Sequence, residues 1–136
     1  KLWKQTIYYP LQLFASHCYG ESVNTFVQSD TFNTQRSKGI PYLDVSCTYQ
    51  QEKQALVINV VNRHPSQAIE TTIESQFGTL AKKATAYEVN GSHLKEENSV
   101  TQQKVKTVER SFDAGGKQFT YSFPPHSFTQ LVLSVK

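Results

Sequence analysis

The sequence predicts an all-β fold, a jelly-roll-like sandwich of two antiparallel sheets preceded by one N-terminal α-helix. Residues that favour strands (Val, Ile, Thr, Phe, Tyr and Trp) make up 46 of the 136, whereas Ala and Leu together supply 16. Beyond residue 20 the apolar residues recur at every second position, which is the period of a strand with one buried face. Short stretches rich in Gly, Pro and polar residues separate these segments, as in β-sandwiches.

The first twenty residues predict the helix, because apolar side chains recur there at spacings of four, four, three and four. These residues are Trp3, Ile7, Leu11, Phe14 and Cys18. Pro10 is tolerated only in a first turn, so we expect the helix to begin near Tyr8 or Tyr9, and Gly20 suits its C-terminal end. The sequence therefore divides into a helix at 1–20 and a sandwich at 21–136.

This helix is apolar on more than one side, which predicts neighbours on more than one side. The remaining strands offer it at most one surface. We therefore predict that the helix forms an interface, through the residues Trp3, Ile7, Tyr8, Tyr9, Leu11, Leu13 and Phe14. In isolation the chain is expected either to self-associate through the helix or to fold the helix onto its own sheet. Self-association is favoured, since the two sheets of a sandwich already cover each other.

The alternating segments predict eight strands, at residues 23–28, 42–49, 55–62, 69–74, 85–89, 105–110, 119–123 and 128–135. The segment 55–62 is almost continuously apolar, so it should be a central strand covered on both sides. The aromatic residues of 119–123 should point inward. Asn90-Gly91 and Gly115-Gly116 predict turns with positive φ.

Composition excludes several classes of protein. The net charge of +3 is small and scattered, which argues against a nucleic-acid partner, and no apolar run approaches the roughly 20 residues that span a bilayer. The chain lacks methionine, so we expect it to be a piece of a longer protein. No signal segment is evident, and localisation stays open, with a secreted or periplasmic location favoured over a cytoplasmic one.

The sequence also predicts no catalytic, metal-binding or cofactor-binding residue. No two of the histidines His17, His64, His93 and His126 are placed at a ligand spacing, and we interpret them as surface or core-rim residues. Cys18 and Cys47 permit at most one disulfide and are interpreted as small buried apolar side chains. The carboxylates considered as glycosidase-type groups are interpreted as solvated; they are Asp44, Glu70, Glu74, Glu88, Glu96 and Glu97.

One further motif, Asn90-Gly91-Ser92, matches the acceptor pattern for N-glycosylation. The same residues suit a tight hairpin turn, and the sequence favours that interpretation.

Four segments, in order along the chain, resemble the C-terminal part of the family 51 α-L-arabinofuranosidases. They are 5–17 (QTIYYPLQLFASH), 40–48 (IPYLDVSCT), 56–63 (LVINVVNR) and 124–135 (PPHSFTQLVLSV), with a looser match at 87–100 (YEVNGSHLKEENSV). The resemblance implies that the helix is the last helix of a catalytic (β/α)8 barrel and that the rest is the sandwich following it. It also implies that a stretch from the N-terminus of the parent enzyme, absent here, completes a sheet edge.

Members of that family hydrolyse terminal α-L-arabinofuranosyl groups of arabinan and arabinoxylan with retention, using two glutamates of the barrel. Neither glutamate motif occurs in this chain, so the resemblance implies a non-catalytic domain that braces the barrel. Two alternatives stay open: an independent carbohydrate-binding module, and an interaction domain unrelated to sugars.

Overall fold

The computed structural model describes residues 2–76 and 78–136, and it confirms a β-sandwich preceded by one helix. The helix, α1, spans Tyr8–His17. The strands are β1 (Glu21–Val23), β2 (Thr31–Phe32), β3 (Ile40–Pro41), β4 (Leu43–Gln50), β5 (Ala55–Asn62), β6 (Ile69–Glu74), β7 (Leu80–Val89), β8 (Thr107–Asp113), β9 (Gln118–Phe123) and β10 (Ser127–Val135).

Six strands form the main sheet, in the spatial order β1-β4-β5-β10-β7-β8, and each neighbouring pair is antiparallel. The strands β6 and β9 form a second, two-stranded sheet, and β2 and β3 form a small hairpin. The second sheet covers one face of the main sheet, which we call the inner face. The opposite face, which we call the outer face, carries the helix.

The inner face contains the larger apolar core, and the predicted central strand lies within it. β5 pairs with β4 on one side and with β10 on the other, which confirms its central position. Its buried Val60 packs with Leu131 and Leu133 of β10. Phe119 and Phe123 of β9 cover this cluster from the second sheet, so the predicted inward aromatic row is also confirmed.

The second sheet is narrower than the sheet it covers. A groove of about 1200 Å³ therefore opens between the two sheets on the side of β1, β4 and β5. Its walls include the apolar side chains Val45, Ile58, Ile69 and Ile73. The implication that a stretch of the parent enzyme completes a sheet edge stays a prediction.

Two local predictions are wrong. The predicted strand 23–28 ends at Val23, because the chain leaves the ladder with β4 there and crosses the mouth of the groove, where Phe26 is almost fully exposed. Asn90 and Gly91 do not have positive φ, so the turn predicted there is wrong; the connection 90–106 follows β7. The turn at Gly115 and Gly116, with φ of 130° and 72°, is as predicted.

Candidate functional site

The helix α1 has two different faces. Tyr9 and Leu13, four residues apart, are 5% and 6% exposed and pack on the outer face of the main sheet. Their neighbours there are Val89, Val105 and Phe128. This buried row is displaced around the helix from the stripe found in the sequence. The sheet therefore covers one side of the helix and leaves the stripe outside.

The exposed side is the predicted stripe itself. Ile7 and Leu11 are 61% and 60% exposed. Phe14 is also exposed, although its ring contacts that of Phe128, with the ring centres 5.5 Å apart. Trp3 and Tyr8 are partly exposed on the same end of the chain. Five of the seven predicted interface residues are thus accessible, while Tyr9 and Leu13 are already occupied by the chain's own sheet. The interface itself stays a prediction.

This arrangement corrects one premise of the sequence analysis. The outer face of the main sheet is free to bind the helix, because the second sheet covers only the inner face. In the structure the helix therefore packs on the chain's own sheet. Self-association through the exposed stripe is a separate matter that stays a prediction.

Buried amide side chains of the sheet hold the C-terminal end of the helix. The last carbonyls of a helix have no partner within it. Gln50 Nε2 donates to one of these, the carbonyl of His17, and Gln130 Nε2 donates at 3.3 Å to the Leu13 carbonyl, one turn earlier in the helix. Asn59 Oδ1 accepts from Gln130 Nε2 at 2.8 Å. All three amides are buried, so these bonds fix the position of the helix end on the sheet.

The imidazole of His17 completes this cluster. Its Nδ1 lies 2.5 Å from Gln130 Oε1, which can only accept, so Nδ1 carries the proton. The ring also stacks on Tyr87, with ring centres 5.1 Å apart. Burial raises the pKa of Tyr87, and the nearby carboxylate of Glu109 raises it further. His17 is therefore a half-buried rim residue with a structural partner on each side.

The two cysteines lie on opposite faces of the main sheet and are free thiols. Cys18 Sγ lies 3.2 Å from Asn59 Nδ2 on the outer face, so its environment is polar. Cys47 is buried in the inner core, where burial raises its pKa to about 11, with a smaller contribution from Cys18. A disulfide between them would have to pass through the sheet.

The segment before the helix is tied down as well. Asn98 Nδ2 donates to the Lys4 carbonyl at 3.0 Å and to the Val105 carbonyl at 2.7 Å. Its Oδ1 accepts from the Val105 N–H at 2.8 Å. Gln103 additionally hydrogen-bonds the Tyr9 hydroxyl. Hydrogen bonds from the connection 90–106 thus hold the N-terminal end of the helix, as those from the sheet amides hold its C-terminal end.

The carboxylates do not form a catalytic pair in the part of the chain that the structure describes. Glu88 accepts from Tyr121 Oη at 2.7 Å and pairs with Arg110 Nε at 3.2 Å, and its side chain is 13% exposed. Glu96 is bonded by Ser92 and by Lys104, which together lower its pKa. The prediction that these two are solvated is therefore wrong, because neighbouring donors cover them. Both are used in structural ion pairs.

Within 2–76 and 78–136, no group of three or more His, Cys, Asp or Glu side chains is placed to hold a metal ion. None of the helical structure described there is long and apolar enough to cross a membrane.

The fold and the helix can now be compared with known proteins. The family model of the α-L-arabinofuranosidase C-terminal domain matches residues 1–127. The chain belongs to this family. The probable α-L-arabinofuranosidase C of Aspergillus flavus is 33% identical over 135 residues, which cover 94% of this chain and 25% of that protein. The chain thus spans about a quarter of the length of the curated relative.

Solved structures of longer chains contain the same fold. The α-L-arabinofuranosidase from Thermotoga maritima, solved as an arabinose complex, aligns over 94% of this chain and 28% of its own, with a TM-score of 0.83 and 24% identity. A family 51 α-L-arabinofuranosidase from Bifidobacterium longum aligns over 96% of this chain and 26% of its own, with a TM-score of 0.82 and 21% identity. At these identities the likeness shows the fold. The family 51 resemblance noted in the sequence is confirmed as that of a C-terminal domain.

Proposed function

We propose that this chain is the non-catalytic C-terminal domain of an α-L-arabinofuranosidase and that it braces the catalytic barrel of the same parent chain. The exposed apolar residues of α1 and of the segment before it (Trp3, Ile7, Tyr8, Leu11 and Phe14) form the surface that packs on the barrel. The parent enzyme removes terminal α-L-arabinofuranosyl groups from arabinan or arabinoxylan. A retaining mechanism needs two carboxylates, which the barrel supplies.

One observation carries this proposal: the helix packs on the main sheet through one side and exposes large apolar side chains on the other. The segment Tyr8–His17 contains no Asp, Glu, Lys or Arg. A helix that faces water normally carries charged residues on that side. Each large apolar side chain left in water forfeits roughly 1.5–3 kcal/mol relative to burial. A contiguous patch of this kind typically marks a contact surface.

The first experiment compares Leu11→Asp in the parent enzyme and in the isolated chain. In the parent we expect a lower melting temperature and lower hydrolysis of an aryl α-L-arabinofuranoside, because a charge enters the domain contact. In the isolated chain the same change should leave the melting temperature unchanged and reduce any self-association measured by light scattering. Leu94→Asp is the matched control, since Leu94 is equally exposed but lies in the connection 90–106.

Equal effects of the two substitutions on the parent would contradict a specific contact at the helix. Binding of arabinan or arabinoxylan by the isolated chain, unaffected by Leu11→Asp, would favour the independent carbohydrate-binding module instead. A parent gene that encodes no barrel would favour the interaction domain unrelated to sugars.

The second experiment tests the absence of catalysis. The isolated chain, purified to homogeneity, is expected to release no aglycone from an aryl α-L-arabinofuranoside. Turnover that persists through purification and disappears on substitution of Glu88 or Glu97 would contradict the proposal.

A further inference from the structure

The connection that follows β7 begins with a modification motif that the fold itself leaves unexplained. Asn90-Gly91-Ser92 fits the acceptor pattern for N-linked glycosylation. The competing explanation, a tight hairpin turn with positive φ, does not hold in the structure, because neither Asn90 nor Gly91 has such a backbone. The motif lies where β7 has ended and the 90–106 connection has begun.

The side chain of Asn90 is not held in place by the fold. Its Oδ1 is buried without a hydrogen-bond partner. Among the described residues no group hydrogen-bonds its Nδ2, and this atom is not fully buried. Asn59, Asn62 and Asn98, by contrast, each donate at least two hydrogen bonds from Nδ2 within the protein. Asn90 therefore has a side-chain nitrogen that can be modified without the loss of a structural bond.

The surroundings also have room for a bulky group. Ser92 is exposed and lines an open cleft of about 550 Å³ together with Leu94, Pro125 and His126. Its hydroxyl hydrogen-bonds Glu96, a residue of the same connection. A glycan attached beside this cleft would extend into solvent without displacing a strand.

We propose that Asn90 is an N-glycosylation site, used when the chain passes through a secretory compartment. In the reaction, Nδ2 attacks the anomeric carbon of an oligosaccharide carried on a lipid diphosphate. A carbon–nitrogen bond forms, the carbon–oxygen bond to the diphosphate breaks, and the nitrogen loses one proton. No electron is transferred to or from an outside reagent. The proposal is independent of the helix contact proposed above, and it predicts that the Asn90 end of the connection faces water in the parent enzyme.

The test expresses the full chain behind a secretion leader in a eukaryotic host and measures its intact mass before and after treatment with a peptide N-glycanase. We expect a glycan that the enzyme removes, with Asn90 converted to aspartate in the peptide map. Asn90→Gln and Ser92→Ala should each abolish the modification, whereas Ser92→Thr should retain it. Asn24→Gln is the matched control, because Asn24 is an exposed asparagine outside any acceptor motif, and it should leave the glycan unchanged.

A second variant provides an internal control for glycosylation in the same molecule. Phe26→Thr places a hydroxyl residue two positions after Asn24, at a site where Phe26 is 92% exposed, and so creates an acceptor elsewhere in the same molecule. Modification at both sites in this variant supports the proposal. A glycan at Asn24 with Asn90 unmodified overturns it.

Discussion

The two faces of the main sheet are both covered, but by different chemistry. The inner face is apolar, and residues such as Val60, Leu131 and Leu133 pack there against the rings of β9. The outer face, beneath the end of the helix, carries the buried amides of Gln130 and Asn59. Apolar contacts are not directional, whereas hydrogen bonds require one geometry. The larger apolar cluster of the inner face therefore contributes more to stability, and the amides of the outer face set the position of the helix end.

The largest effect on stability is expected from a charge placed in the inner face. Val60→Asp buries an unpaired carboxylate in the core, which costs several kcal/mol against a total stability of roughly 5–15 kcal/mol. We expect an unfolded or insoluble chain, measured by far-UV circular dichroism and urea titration. Val61→Asp is the matched control: Val61 is the next residue of β5, on the outer face, and is partly exposed. A soluble Val60→Asp variant with an unchanged melting temperature would show that β5 is not central.

A smaller effect is expected from the outer face. Gln130→Leu keeps the approximate volume but removes the bonds to the Leu13 carbonyl, His17 and Asn59. Losing these buried hydrogen bonds should lower the free energy of unfolding by about 1–3 kcal/mol. The amide protons of the helix should exchange faster, while those of β5 change less.

Ser134→Ala on the same strand is the control for Gln130→Leu, since Ser134 is exposed. Helix amides that exchange at the wild-type rate in Gln130→Leu would show that the amide cluster does not position the helix.

The pH dependence of stability should reveal the inner-face thiol. The pKa of Cys47 is raised from 9.0 to about 11 in the folded chain, so the unfolded chain loses its proton first. The contribution to stability is complete below pH 9 and is lost as the pH rises towards 11, with a slope of at most about 1.4 kcal/mol per pH unit. Urea unfolding at pH 8, 9, 10 and 11 should show a steeper decline for the wild type than for Cys47→Ala. Parallel declines of the two proteins would contradict the assignment.

The smallest effect concerns labelling and leaves the fold unchanged. Iodoacetamide at pH 8 should alkylate Cys18 faster than Cys47, because Cys18 is half-buried on the outer face and Cys47 is buried with a raised pKa. Peptide mass analysis after a short reaction measures the two rates, and unfolding in urea should equalise them. Faster labelling of Cys47 in the folded chain would mean that the inner core opens more readily than the outer face.

Most of the strands could be predicted because their information is local. The continuous apolar run of β5 and the alternation in β6 follow directly from the periodicity of the sequence. The failure at 23–28 has a physical reason: alternation shows that a strand is possible, but Val23 is the last residue that pairs with β4. At Asn90 the residue types suited a tight turn, but turn preference is only a weak signal when the next strand begins far along the chain.

The helix begins at Tyr8 as predicted, but it ends at His17 and is capped by Cys18, not by Gly20, and its buried row was not predicted. The sequence predicts Tyr9 and Leu13 only as members of the interface, since it does not show which side of the helix a sheet will cover. The amides of Gln130 and Asn59 gave no signal at all. They come together only because β5 and β10 pair in one register, with Gln130 opposite Asn59. Such long-range pairing cannot be read from the spacing of residues along the chain.

The clasped helix also determines where this molecule can be divided. Residue 20 is the natural boundary by topology, because Gly20 turns the chain with a φ of 103° from the helix into β1. A cut there would expose Phe128, which packs against the helix, and would remove the carbonyls to which Gln50 and Gln130 donate. When sandwich modules are exchanged between arabinofuranosidases, the recombination point should therefore lie before the segment that Asn98 holds at Lys4. The helix is then exchanged together with the sandwich to which it is hydrogen-bonded.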